Sequence, residues 1–156
     1  MLEKDLVKNC LENISISFLR EKERHLVLKE LVNQLSQAKK VSCATKFYDA
    51  LVEREKILST GIGMGLAIPH AKLDCFNSFF CTVGIQKEKG IEWNSIDRSP
   101  VRIVVMIGGP DKNKMEYLQI LSKLTKAFRD SKLRKGLIDA ANEQEAQQLL
   151  KKYLTN

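Results

Sequence analysis

The chain has 156 residues, enough for one domain with a proper core and too few for two ordinary ones. Its hydrophobic fraction of 44% and charged fraction of 29% are those of a globular protein. No apolar run approaches the length of a bilayer span, and the opening Met-Leu-Glu-Lys-Asp is no signal peptide, so a cytoplasmic protein without membrane insertion is expected. The net charge of +7 does not by itself indicate nucleic acid. The densest basic run, Lys123 to Lys135, matches no nucleic-acid-binding module and reads as a solvated face, with an acidic partner surface as the functional alternative.

In chain order, residues 13–18 alternate apolar and polar and predict a strand with one buried face. A charged turn from Arg20 to Arg24 leads into a helix striped by Leu28, Leu31, Val32 and Leu35. His25, at the edge of that stripe, reads as a surface or packing residue. Ser42 is a plausible cap for a second helix with Cys43, Phe47, Ala50, Leu51 and Leu58 along one side. Winding it at 3.6 residues per turn places Arg54 in that stripe, with Glu53 and Lys56 pointing away. A guanidinium there needs an anion. The partner is either a carboxylate, with Glu55 and Asp74 as candidates, or a phosphate matched to the planar fork of arginine donors.

The centre of the chain is Gly-Ile-Gly-Met-Gly-Leu-Ala-Ile-Pro-His-Ala-Lys, residues 61–72. Gly61, Gly63 and Gly65 permit tight turns or close approach to a ligand, and Leu66 to Ile68 reads as a short buried strand. Pro69 is expected to end the regular pairing because it has no N–H. His70 follows in a constrained loop, with Lys72 two positions on. The glycines are not a dinucleotide fingerprint, since position 66 is leucine and the order is helix, glycines, strand. They are not a P-loop either, because no Gly-Lys-Ser/Thr occurs.

Downstream, residues 79–85 and 101–107 predict strands, separated by a turn at Lys87 to Gly90 and a loop in which Trp93 anchors packing. Gly108-Gly109-Pro110 leads to a helix over about 112–128, capped by Asp111 and striped by Tyr117, Ile120, Leu121, Leu124 and Phe128. Asp130 starts another helix, and Asn142-x-x-Glu145 reads as a capping box opening the last one. Cys10, Cys43, Cys75 and Cys81 lack Cys-x-x-Cys spacing, so free thiols are expected rather than a disulfide frame or a metal site. Helices before, between and after three or more strands make the fold α/β.

Ser-Thr-Gly-Ile-Gly-x-Gly-x-Ala-Ile-Pro-His (59–70), preceded by Arg-Glu-Lys (54–56), resembles the active-site signature of the fructose/mannitol class of phosphotransferase-system enzyme IIA domains. The chain is most similar to the stand-alone nitrogen-regulatory branch. The resemblance implies a single domain over 1–156 with a mixed β-sheet sandwiched between helices, and no cofactor or metal. It also implies that His70 accepts a phosphoryl group from a small histidine-phosphocarrier protein, with Arg54 on the phosphate side. Thr60, the backbone of Gly61, Gly63 and Gly65, and Lys72 are the helpers expected around the phosphoryl group. A chain without a permease is expected, and with it a regulatory output through target proteins in place of sugar uptake by this chain alone.

The match departs at Tyr117, which occupies the place of the family's second histidine. A tyrosine hydroxyl can donate a hydrogen bond but adds no positive charge near pH 7. The alternative function is a regulatory binding module that keeps the fold without phosphotransfer.

Overall fold

The computed structural model describes residues 3–155; Met1 and Leu2, part of the opening stretch read against a leader, lie outside it. The strands are β1 (Ser15–Phe18), β2 (Gly61–Gly63), β3 (Leu66–Ala67), β4 (His70–Lys72), β5 (Phe80–Ile85) and β6 (Ile103–Gly109). They form one sheet in the order β1-β5-β6-β3-β2, with β4 also paired to β6. The sheet is mixed: β1 runs parallel to β5, β3 and β4 run parallel to β6, and the β5–β6 and β2–β3 pairs are antiparallel.

The helices are α1 (Glu3–Glu12), α2 (Arg24–Gln37), α3 (Ala44–Ile57), α4 (Lys114–Phe128), α5 (Ser131–Asp139) and α6 (Glu143–Thr155). Every residue of β5 and β6 is buried, so both faces of the sheet must be covered. The period-2 alternation of side chains divides them between two cores. Cys81, Val83, Ile85, Ile103, Val105 and Ile107 pack with α1, α4, α5 and α6. Phe80, Val104 and Met106 pack on the opposite face with α2 and α3. Leu31 of α2 is fully buried in that second core, and truncating it to alanine would cost about 2–5 kcal/mol.

Several local expectations hold. Asp130 accepts from the Lys132 N–H at the start of α5, and Asn142 accepts from the Glu145 N–H at 2.8 Å. Others need correction. Ser42 and Asp111 cap nothing; Cys43 and Asn113 hold the cap positions of α3 and α4, without a side-chain cap bond. Asn113 is in the left-handed region, which asparagine tolerates. The expectation of four free thiols is also corrected. Cys43, before α3, is disulfide-bonded to Cys75, in the turn after β4, because the fold packs α3 against β4. Cys10 and Cys81 are free and buried, and burial pushes the Cys10 thiol up to about 12.

In the basic run, Lys123, Lys126, Arg129, Lys132 and Lys135 are exposed. Arg134 instead turns back to donate to the carbonyls of Phe128 and Arg129 at the end of α4. That places its charge where the helix carbonyls attract a cation.

Candidate active site

The glycine stretch is a hairpin. β2 and β3 are joined by Met64 and Gly65, both at positive φ (59° and 74°), as the favoured two-residue hairpin turn requires. Gly61 is needed for close approach, because a Cβ there would collide with Ser95 Oγ. The Ile96 N–H donates to the Gly61 carbonyl, and the Met64 N–H donates to Asp97, which fasten the hairpin to the loop before β6.

Pro69 interrupts the edge along β6 without ending it. Its carbonyl accepts from the Ile107 N–H at 3.0 Å, and pairing resumes at once with His70 opposite Ile107. The histidine therefore stands on a strand, β4, and not in a free loop. The correction has a simple cause: proline removes a donor but keeps an acceptor, and this ladder uses the acceptor.

The His70 ring is half-buried, and its Nδ1 lies 2.8 Å from the carbonyl oxygen of Ile68. A carbonyl can only accept, so Nδ1 carries the proton and Nε2 keeps its lone pair. Burial is the main force holding the pKa of His70 below the ordinary 6.5. The Ile68 bond opposes it, Arg54 and Lys72 lower the pKa further, and Glu55 raises it. Near pH 7 the ring is thus neutral, with one defined nitrogen available as a nucleophile.

Three further groups predicted for the site converge on this ring. The Tyr117 ring centroid is 6.1 Å from that of His70, and Lys72 Nζ lies 4.9 Å from the Tyr117 centroid. Tyr117 packs on Phe79 and is buried, and its hydroxyl has no hydrogen-bond partner among the described residues. Burial raises its pKa, which keeps the phenol neutral. Arg54 acts electrostatically on both His70 and Tyr117. It is half-buried at the end of α3 and donates to the Leu58 carbonyl at 2.8 Å. Among the described residues no carboxylate lies in ion-pair range of it.

The wheel drawn from sequence needs one revision. α3 ends at Ile57, so Leu58 is exposed, and the residue that follows Leu51 on the buried side is Glu55. That carboxylate accepts from the Thr60 hydroxyl, from the Thr60 N–H at 3.1 Å and from the Trp93 indole N–H at 3.3 Å. Arg24 Nη1 stands 3.8 Å away. Both Thr60 donors are therefore engaged by Glu55, and the Gly61 N–H is engaged by Ser59 Oγ. Glu55 and the polar end of Trp93 are the elements of the site that sequence reasoning underrated. Their signal was an acidic residue four positions after a core leucine. His25 is exposed on the surface of α2. Among the described residues no three metal-ligating side chains come together.

The model of a family described as "Phosphoenolpyruvate-dependent sugar phosphotransferase system, EIIA 2" matches residues 10–153. The chain belongs to this enzyme IIA family. This enzyme IIA chain is 33% identical over 125 residues to the fructose-specific EIIABC component of Bacillus subtilis, covering 80% of the chain but 20% of that protein. It is 32% identical over 122 residues to the nitrogen regulatory protein of Escherichia coli, covering 78% of the chain and 74% of that protein. Both the fructose type and the nitrogen-regulatory type thus stand among its relatives. The crystal structure of nitrogen regulatory protein IIA-Ntr from Neisseria meningitidis superposes with a TM-score of 0.77 at 24% identity, covering 90% of this chain and 94% of that one. It shares the α/β fold. Among the described residues no helix is long and apolar enough to cross a membrane.

Proposed function

We propose that this enzyme IIA domain, residues 1–156, is a phosphocarrier that accepts a phosphoryl group on Nε2 of His70. The donor is the phosphohistidine of a small histidine-phosphocarrier protein, and the setting is cytoplasmic. The observation that carries the reading is the fixed tautomer: Nδ1 is tied to Ile68, and Nε2 is bare. In the transfer the Nε2 lone pair attacks phosphorus, the donor's N–P bond breaks and the donor imidazole leaves with the electron pair. The proton stays on His70 Nδ1, donated in a hydrogen bond to the Ile68 carbonyl, so the ring needs no separate base.

Arg54 and Lys72 offset the phosphoryl charge. A cation about 4 Å from a phosphoryl oxygen is worth up to about 4 kcal/mol at an effective dielectric of 20, before desolvation is subtracted. Thr60 and the glycines shape the loop that presents His70. The unpartnered Tyr117 hydroxyl is the neutral donor to a phosphoryl oxygen.

A protein donor also suits the surroundings. Ile96 and Leu58 are 77% and 63% exposed, and Met115 and Leu118 flank Tyr117 on α4 and are also exposed. Leu58, Met115 and Leu118 lie on the segments that carry Arg54 and Tyr117, and Ile96 lies on the loop bonded to Gly61 of the hairpin, an apolar composition that suits a docking face. A regulatory output, exerted on target proteins, fits the nitrogen-regulatory relatives.

Tyr117 favours one second reading, a binding module that no longer transfers phosphate, because it supplies no charge where the resemblance implies a histidine. Incubation with a phosphorylated histidine-phosphocarrier protein, followed by intact-mass measurement and mapping of the modified residue, separates the two.

A further inference from the structure

Beneath the reacting histidine lies a buried carboxylate that the phosphocarrier reading does not use. Glu55 is 7% exposed, and a buried charge is costly unless every lone pair is met. Here it is met on three sides, by Thr60, Trp93 and Arg24, with Trp93 Nε1 also donating to Thr60 Oγ1 at 3.1 Å. The consequence reaches the site through a short chain of hydrogen bonds. Glu55 Oε2 accepts from the Thr60 N–H, and the Thr60 carbonyl accepts from the Ile68 N–H at 3.0 Å. The Ile68 carbonyl in turn accepts from His70 Nδ1 at 2.8 Å. Thr60 is therefore anchored on one side by Glu55 and on the other holds the residue whose carbonyl selects the His70 tautomer.

We infer that Glu55 is a positioning residue for His70: through Thr60 and Ile68 it fixes the imidazole with its proton on Nδ1 and Nε2 exposed to the phosphoryl donor. A neutral structural residue could fill the same space, so the charge has its own consequence. The groups facing His70 are Arg54 and Glu55 from α3, Lys72 from β4 and Tyr117 from α4. Glu55 is the anion among them and counters the two cations. The inference rests on His70 as the acceptor for its meaning in catalysis, though the positioning itself is a property of the unmodified protein.

The test is ¹⁵N NMR of the His70 ring across a pH titration, in wild type, Glu55→Gln and Glu55→Leu, with the signal assigned by its loss in His70→Ala. Glutamine keeps an acceptor for the Thr60 N–H but removes the charge. In Glu55→Gln the ring should stay protonated on Nδ1, while its titration midpoint falls because the anion that raises it is gone. Leucine removes the acceptor too. In Glu55→Leu the Nε2-protonated tautomer should appear, and phosphorylation by the donor protein should slow by about tenfold or more. An unchanged midpoint in Glu55→Gln overturns the inference whether or not Glu55→Leu folds. So does a folded Glu55→Leu with the wild-type tautomer. If the ring responds as expected but wild type takes up no phosphoryl group, Glu55 keeps its role and the phosphocarrier reading fails.

Discussion

The ring centroid of Tyr117 lies 6.1 Å from that of the His70 imidazole, and the Tyr117 hydroxyl is buried without a hydrogen-bond partner among the described residues. A buried hydroxyl left unpaired costs about 1–3 kcal/mol, so Tyr117→Phe should stabilise the resting protein. A gain of about 1 kcal/mol would raise Tm by about 2–4 °C in a domain of this size. Phosphorylation of His70 should slow in the same variant, because the donor to the phosphoryl oxygen is gone. Calorimetry and transfer kinetics check the two halves; a fall in Tm with unchanged transfer would make Tyr117 a packing residue.

Arg54 has a carbonyl partner and no ion-paired carboxylate among the described residues, which leaves guanidinium capacity for a phosphoryl group. Arg54→Lys should retain the charge but lose the planar fork, lowering the phosphorylation rate with little change in Tm. Arg54→Ala should also raise the titration midpoint of His70, since the arginine depresses it. A midpoint that fails to rise would place Arg54 too far from the ring for this role.

The depressed pKa of His70 sets the pH dependence. The folded ring binds its proton less readily than the unfolded one, so its contribution to stability is present above 6.5 and is lost as pH falls through the folded value. Phosphoryl acceptance, which needs Nε2 bare, should be flat from neutral to mildly alkaline pH and decline only below 6.5. A urea series against pH should show an acid-side loss of stability that is reduced in His70→Ala.

The disulfide between Cys43 and Cys75 closes a loop of sequence separation 32 and ties the start of α3 to the turn after the His70 strand. In the chain-entropy account a loop of that size contributes about 3–4 kcal/mol. Cys43→Ser should lower Tm accordingly. Thiol titration of the denatured, unreduced protein should find only the thiols of Cys10 and Cys81.

Much of this architecture was legible from side-chain periodicity. The alternation over residues 13–18 and the stripes of α2 and α4 are visible because burial on one side leaves a repeating pattern, whereas β5 and β6 show as apolar runs because both their faces are buried. Val7, Cys10, Leu11 and Ile14 carry the same spacing, yet the charged residues between them hid α1 from the sequence reading. His70 and its glycine hairpin stood out through local composition, whereas the strand at β4 depends on a partner, β6, far along the chain. Pairing of Cys43 with Cys75 likewise reflects packing of α3 on β4, which no local spacing encodes. Arg54 was placed in the site, but the buried carboxylate beside it was only a candidate partner. Its partners, Thr60, Trp93 and Arg24, come from three separate segments.

Phosphorylation of the intact chain by a phosphorylated histidine-phosphocarrier protein tests the central claim most directly, read by intact mass and by ³¹P NMR under alkaline conditions. The expected result is one phosphoryl group in wild type, bonded to Nε2 of His70, absent in His70→Ala and retained in His25→Ala. Label persisting in His70→Ala, or no label in wild type with a donor that phosphorylates another enzyme IIA domain, would contradict it.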